Sequence, residues 1–354
     1  MAELNSALRV GDFTIKNRLV LAPLTRARSG AERIPNDLMV EYYQQRANAG
    51  LIITEATVIS PKAAGYANTP GLWSQEQAQA WHKIVDAVHA QGSKIVVQLW
   101  HVGRISHPDL LDGDIPVAPS AIQPAGEVSL LRPKRPFVTP RALSHEEIQE
   151  IVAQYKNAAE LAKAAGFDGV ELHAANGYLI DQFLQSGTNQ RNDEYGGSVE
   201  NRARLLLQVV DAFIEVWGAG RVGVHLAPRG DSHDMTDENP LATFGYVVEQ
   251  LDQRQVGFIF TREYEAEDSL MPALRPKFNG VWIANEKLTP ASAKRILATE
   301  QADAVSFGLA YIANPDLLDR LEHDLPLNQV NFQTLYAAGA EGYTDYPAFE
   351  KLEA

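Results

Sequence analysis

"GVELHAANGYLIDQFL", residues 169–184, is the stretch whose reading decides the fold. It opens on an apolar run that reads as a strand. It then places His173, Asn176 and Tyr178 within six residues, just where that strand must end. Seven other short apolar runs resemble it: "RLVLAP" (18–23), "LIITEAT" (51–57), "KIVVQLW" (94–100), "VGVHLAP" (222–228), "VGFIFTRE" (256–263), "GVWIANE" (280–286) and "ADAVSFG" (302–308). None shows the in–out alternation of a half-exposed sheet, so they read as parallel strands covered on both faces. Helical patterns separate most of them, including "SHEEIQEIVAQYKNAAELAKAAG", where Ser144 and Glu147 form a capping box. Eight strands alternating with helices predict an α/β fold of the (β/α)8 TIM-barrel type, one domain over residues 1–354. A doubly wound sheet is the runner-up, but no G-x-G-x-x-G turn follows the first strand. "LRVGDFTIKN" reads as an N-terminal hairpin capping the barrel floor. The Pro-rich stretch of about 102–143 reads as an inserted subdomain after strand three.

Composition narrows the function classes. Across 354 residues the formal net charge is −14, which argues against nucleic acid or an anionic membrane as partner. There is no cysteine, so disulfides, zinc–thiolate sites, iron–sulfur clusters and thiol nucleophiles are excluded. Neither a signal peptide nor a span of about 18 apolar residues is visible. The expectation is a cytoplasmic protein with a small-molecule partner, as a monomer or a homodimer. No metal is expected. His233 and Asp234 in "DSHDMTDEN" read as part of an acidic, solvated loop.

In a barrel the active site lies at the carboxyl ends of the strands. Polar residues fall at several such ends: Thr25 after the first strand, Gln98 and His101 at the third, His173, Asn176 and Tyr178 at the fourth, His225 at the fifth, Arg262 at the sixth. Taken alone, His173 reads as a hydrogen-bonded core histidine and Thr25 as a turn cap. Trp100 reads as packing. Gln98 is harder to dismiss, because a buried amide needs partners for its donors and its acceptor.

Read together and in order, "NRLVLAPLTR" (17–26), "VQLWHVGR" (97–104), "ELHAANGYLIDQFL" (171–184), "TNQRNDEYGGSVENRARLL" (188–207), "ANPDLLDRL" (313–321) and "EGYTDYP" (341–347) resemble the Old Yellow Enzyme family of FMN-dependent ene-reductases over nearly the whole chain. The resemblance implies a reductase of α,β-unsaturated carbonyls, and of nitro compounds or nitrate esters, driven by NADH or NADPH. By resemblance His173 and Asn176 bind the substrate oxygen and Tyr178 is the proton donor. Tyr66, Trp100 and Tyr336 line the substrate pocket. Pro23, Leu24, Thr25, Ala56 and Gln98 contact the flavin, with threonine at 25 where another branch of the family has cysteine.

Departures from the family pattern concern FMN. His225 stands where many members carry an arginine at the flavin edge, and Leu309 follows Gly308 where an arginine usually grips the phosphate. Glu286 and Lys287 replace the usual small residues after strand seven. Arg262 is therefore expected as the flavin-edge cation, and Lys287 as a partial phosphate cation. The competing expectation is a flavin-poor barrel that binds or isomerises enone-like ligands without net reduction. A metal-dependent lyase finds no carboxylate–histidine cluster at the strand ends.

Overall fold

A computed structural model describes residues 3–349. Its frame is a closed parallel barrel of eight strands: β1 (Leu19–Leu21), β2 (Leu51–Ile53), β3 (Lys94–Trp100), β4 (Gly169–Ala174), β5 (Val222–Leu226), β6 (Phe258–Arg262), β7 (Val281–Asn285) and β8 (Ala304–Phe307). Each pairs with the next, and β8 closes on β1. The eight runs identified in the sequence are these eight strands.

The floor is sealed as expected. Leu8–Val10 and Phe13–Ile15 form an antiparallel hairpin. Its Val10, Phe13 and Ile15 cluster with Val20, Val96, Phe258 and Ile283 inside the barrel. The turn docks through Asp12 N–H, which donates to the Gly220 carbonyl at 3.1 Å just before β5. With the bottom filled by side chains, only the carboxyl end can admit a ligand.

Helices α1 (Asp37–Gln45), α2 (Gln75–His89) and α3 (His145–Ala164) follow the first three strands. The short α4 (Leu179–Leu184) and α5 (Val199–Trp217) follow β4, and α6 (Pro240–Gln253) follows β5. Ser144 and Glu147 form the capping box on α3, and Ser198 caps α5. Between β6 and β7 the helix shrinks to α7 (Met271–Leu274) and a 3-10 turn, because Pro272 and Pro276 break the segment. Helices α8 (Pro290–Ala298), α9 (Leu309–Ala313) and α10 (Leu317–Glu322) complete the chain order. Among the described residues no helix is long and apolar enough to cross a membrane.

Two segments roof the open end. The insert carries a short parallel pairing of Val117–Ala118 with Arg141–Ala142, and its loop brings Ser129 and Leu130 over the barrel mouth. The C-terminal segment is held by buried arginines of the β1–α1 loop. Arg26 donates to the Leu335 and Gly342 carbonyls, and Arg28 to those of Thr334 and Leu335. Both guanidiniums also lie over the Tyr343 ring, at 5.0 and 4.4 Å. This clamp places Tyr336 at the mouth.

Candidate active site

The barrel interior near the mouth is polar, and side-chain parity explains which residues enter it. Alternate residues of a strand face opposite sides. Inward-facing Phe260 and Val96 share the interior cluster, so Arg262 and Gln98, two residues further on, face inward as well. Gln98 on β3 reaches His225 on β5 past the intervening β4, at 3.1 Å between Nε2 and Nδ1. His225 is in register with His173 on β4, and the two rings stack at 5.0 Å.

Burial sets the charge state of this layer. His173 is pushed down to about 3 by burial, with the Arg262 cation adding to the effect, so it is a neutral donor at physiological pH. His225 is pushed well below the ordinary histidine range by burial, by His173 and by Arg262. Glu171 is fully buried and pushed up to about 8, so at pH 7 it is mostly protonated. Gln98 Nε2 donates to Glu171 Oε2 at 2.7 Å. Glu171 is a site residue that the sequence reading passed over, hidden in a run that otherwise reads as core.

His173 lies on β4 itself, and Asn176 and Tyr178 lie on the turn that follows it. Asn176 and Gly177 have φ of 59° and 78°, the left-handed region that Asn and Gly tolerate best. Gly177 is required there, because a Cβ would lie 2.8 Å from the Ser232 carbonyl oxygen. The turn delivers Tyr178 to the start of α4. Its ring stands edge-on to Trp100 at 4.8 Å and to His173 at 5.1 Å. Its hydroxyl pairs with the Tyr66 hydroxyl at 3.0 Å. Thr25, Tyr66, Tyr178 and Tyr336 line one cavity of about 110 Å³ with Ser129 and Leu130 of the insert. A larger cavity of about 330 Å³ lies elsewhere, between the β6–β7 connection and α8, and holds none of this chemistry.

The loop carrying His233 and Asp234 is solvent-facing at Asp231, Asp234 and Glu238, as expected, and it also braces the site. His233 Nδ1 meets the Asn176 carbonyl oxygen at 2.9 Å, and Asp234 accepts from Ala125 N–H of the insert at 2.5 Å. A cluster of three potential metal ligands among the described residues, Asp319, Glu322 and His323, lies on the surface at α10, away from the mouth.

The remaining predicted residues take varied places. Arg262 donates from Nη1 to Asn176 Oδ1 at 2.8 Å and pairs through Nε with Glu286. Lys287 Nζ lies 3.9 Å over the exposed Tyr264 ring. Gly308 caps α9, and Leu309 is 43% exposed. Ala56 is buried beyond β2, while Pro23 and Leu24 follow β1, with Leu24 against Gly308.

The model of the NADH:flavin oxidoreductase / NADH oxidase family matches residues 3–328. The chain belongs to this family. It is 40% identical to 12-oxophytodienoate reductase 1 of Oryza sativa subsp. japonica, over 98% of this chain and 93% of that protein. A solved structure of morphinone reductase in complex with tetrahydroNAD superposes with a TM-score of 0.95 at 44% identity, covering 99% of this chain and 98% of the other. The Old Yellow Enzyme homologue from Zymomonas mobilis gives 0.95 at 42% identity, over 97% and 99%. The sequence expectation of the Old Yellow Enzyme family is thereby met. The chain is an FMN-dependent oxidoreductase of this family, and the barrel is the family's fold.

The interior donors and acceptors suit the ring of FMN. The two amide hydrogens of Gln98 are directed at Glu171 Oε2 and His225 Nδ1, which leaves Gln98 Oε1 as an acceptor. His225 takes that hydrogen bond on Nδ1, so its Nε2 carries the ring proton, and this buried donor has no protein partner. An acceptor beside a donor matches the N3–H and carbonyl edge of an isoalloxazine. The phosphate end differs. Barrel phosphate sites form in the loops after strands seven and eight. After β7, Lys287 lies on the Tyr264 ring and Glu286 is paired with Arg262 of β6, and after β8 the Leu309 side chain offers no hydrogen bond. Backbone N–H groups at the start of α9 offer donors for a phosphate.

Proposed function

We propose that the chain reduces C=C bonds conjugated to a carbonyl, working in the cytoplasm as a monomer or homodimer and as one folding unit. Nitro compounds and nitrate esters are further substrates in this reading, and NADH or NADPH is the reductant. One observation carries it: two neutral donors, His173 and Asn176, and a phenol, Tyr178, converge at one barrel mouth. Bound FMN supplies the hydride to the β-carbon.

The protein residues handle charge and the proton. Hydride addition drives negative charge onto the carbonyl oxygen. His173 and Asn176 stabilise that charge in a buried setting, where one such donor is typically worth ~3–4 kcal/mol. Tyr178 delivers a proton to the α-carbon. Its phenol is held well above its ordinary range, mainly by burial, so it remains protonated at working pH. Tyr66 then donates to the tyrosinate across the 3.0 Å hydroxyl pair and limits the cost of the buried charge. The aromatic walls, Trp100 stacked on Tyr66 at 5.6 Å, exclude water and suit a flat, conjugated ligand.

The test is turnover of 2-cyclohexenone by FMN-loaded protein with NADH and with NADPH, with the ketone product identified chromatographically. Formation of cyclohexanone, lost in the His173→Ala/Asn176→Ala double variant, supports the reading. Consumption of NAD(P)H without a saturated product, or isomerised enone, overturns it in favour of a binding or isomerising barrel.

A further inference from the structure

The residue that makes the oxygen clamp directional lies on neither β4 nor its turn. Asn176 can present either end of its amide to a ligand, and nothing in its own loop selects one. Arg262 does. Its Nη1 donates to Asn176 Oδ1 at 2.8 Å, which fixes the carbonyl end of the amide toward β6 and turns Nδ2 away. Nδ2 has no hydrogen-bond partner among the described residues, so its two N–H groups remain for a ligand oxygen. Arg262 is in turn anchored from β7. Its Nε pairs with Glu286 Oε2, and its Nη2 lies 3.4 Å from Glu286 Oε1.

The backbone reinforces this geometry. Glu286 and Lys287 have φ of 93° and 52°, a region that residues other than glycine occupy only where their surroundings over-determine it. This turn directs Glu286 to Arg262 across the strand ends, while Lys287 leaves for the Tyr264 ring. Glu286 thus has a cationic partner in Arg262.

We infer that Arg262, held by Glu286, is a positioning residue that orients and polarises Asn176 for the substrate oxygen. A cation donating to the amide carbonyl strengthens the opposite N–H groups as donors. The three residues join β7, β6 and the β4 turn into one relay. Only a planar fork can hold Glu286 and Asn176 at once, so lysine is a poor replacement. The inference rests on the reading of Asn176 as an oxygen clamp.

The experiment is a double-mutant cycle on FMN-loaded protein, with para-hydroxybenzaldehyde as the probe, its phenolic oxygen standing in for the enolate oxygen. Dissociation constants are measured by calorimetry for wild type, Arg262→Ala, Asn176→Ala and the double variant. Each single variant is expected to weaken binding about tenfold or more, and the double variant no further than Asn176→Ala alone. Glu286→Gln, which keeps an acceptor, should fall between wild type and Arg262→Ala. If Arg262→Ala does not fold, Arg262→Lys replaces it in the cycle, with the same loss of coupling expected. Losses that multiply in the double variant overturn the inference, because Arg262 then acts independently of Asn176. Wild-type protein that neither binds the phenol nor reduces cyclohexenone overturns the functional reading instead, so the two failures are distinct.

Discussion

Removing one oxygen atom from Tyr178 tests the proton-delivery step. Tyr178→Phe keeps the ring edge-on to Trp100 and His173, and loses only the 3.0 Å contact with the Tyr66 hydroxyl. A neutral hydrogen bond of this kind contributes ~0.5–1.5 kcal/mol net, so the fold and the cavity should survive. The kinetic effect is larger. A positioned general acid contributes ~10²–10⁴-fold, or about 3–5 kcal/mol of barrier at 1.36 kcal/mol per decade. The lower end is expected here, because Tyr66, itself pushed up to about 12 by burial, remains protonated beside the gap and can donate in place of the lost phenol. Stopped-flow under anaerobic conditions separates the half-reactions. Reduction by NAD(P)H should keep its wild-type rate in Tyr178→Phe, while reoxidation by cyclohexenone slows by ~10². Adding Tyr66→Phe should slow reoxidation again. Unchanged reoxidation in Tyr178→Phe would falsify the assignment of Tyr178 as the acid.

Three further outcomes follow from the same geometry. Glu171 is held protonated by burial, its pKa pushed up to about 8. The stability this gives is present at low pH and is lost as pH rises from the ordinary carboxylate range through about 8. Glu171→Gln should therefore gain on wild type across that window, by on the order of a few kcal/mol, and a melting-temperature difference independent of pH would contradict it. Leu309→Arg should lower the FMN dissociation constant by restoring a cation after β8, with a salt dependence that wild type lacks, and equal affinities at low salt would show that the backbone donors suffice. Lys287→Ala should change FMN affinity little, since its ammonium lies on Tyr264, and a large loss in equilibrium dialysis would return it to the phosphate.

The barrel was legible because each strand is covered on both faces and so reads as an uninterrupted apolar run. The cluster at His173, Asn176 and Tyr178 was legible because the end of β4 and the turn after it hold all three within six residues. Contacts between distant strands were not. Arg262 and Glu286 are 24 residues apart, and only the parallel pairing of β6 with β7, which sets Arg262 beside Asn285, makes them neighbours. Arg26 and Arg28 are buried on carbonyls of a segment some 300 residues later, and no periodicity encodes that. Glu171 was hidden for a related reason: one polar residue does not break an apolar pattern, and only the register of β3 against β4 shows that it faces Gln98.

The central claim is that one barrel mouth couples a bound flavin to reduction of an activated alkene. The most direct measurement is the visible spectrum of the purified protein loaded with FMN, followed anaerobically through one cycle. The account predicts a flavin absorbance that NADH or NADPH bleaches and that stoichiometric cyclohexenone restores, with one cyclohexanone formed per flavin. A flavin that bleaches and then stays reduced in the presence of the enone, or a protein that retains no flavin, would contradict it.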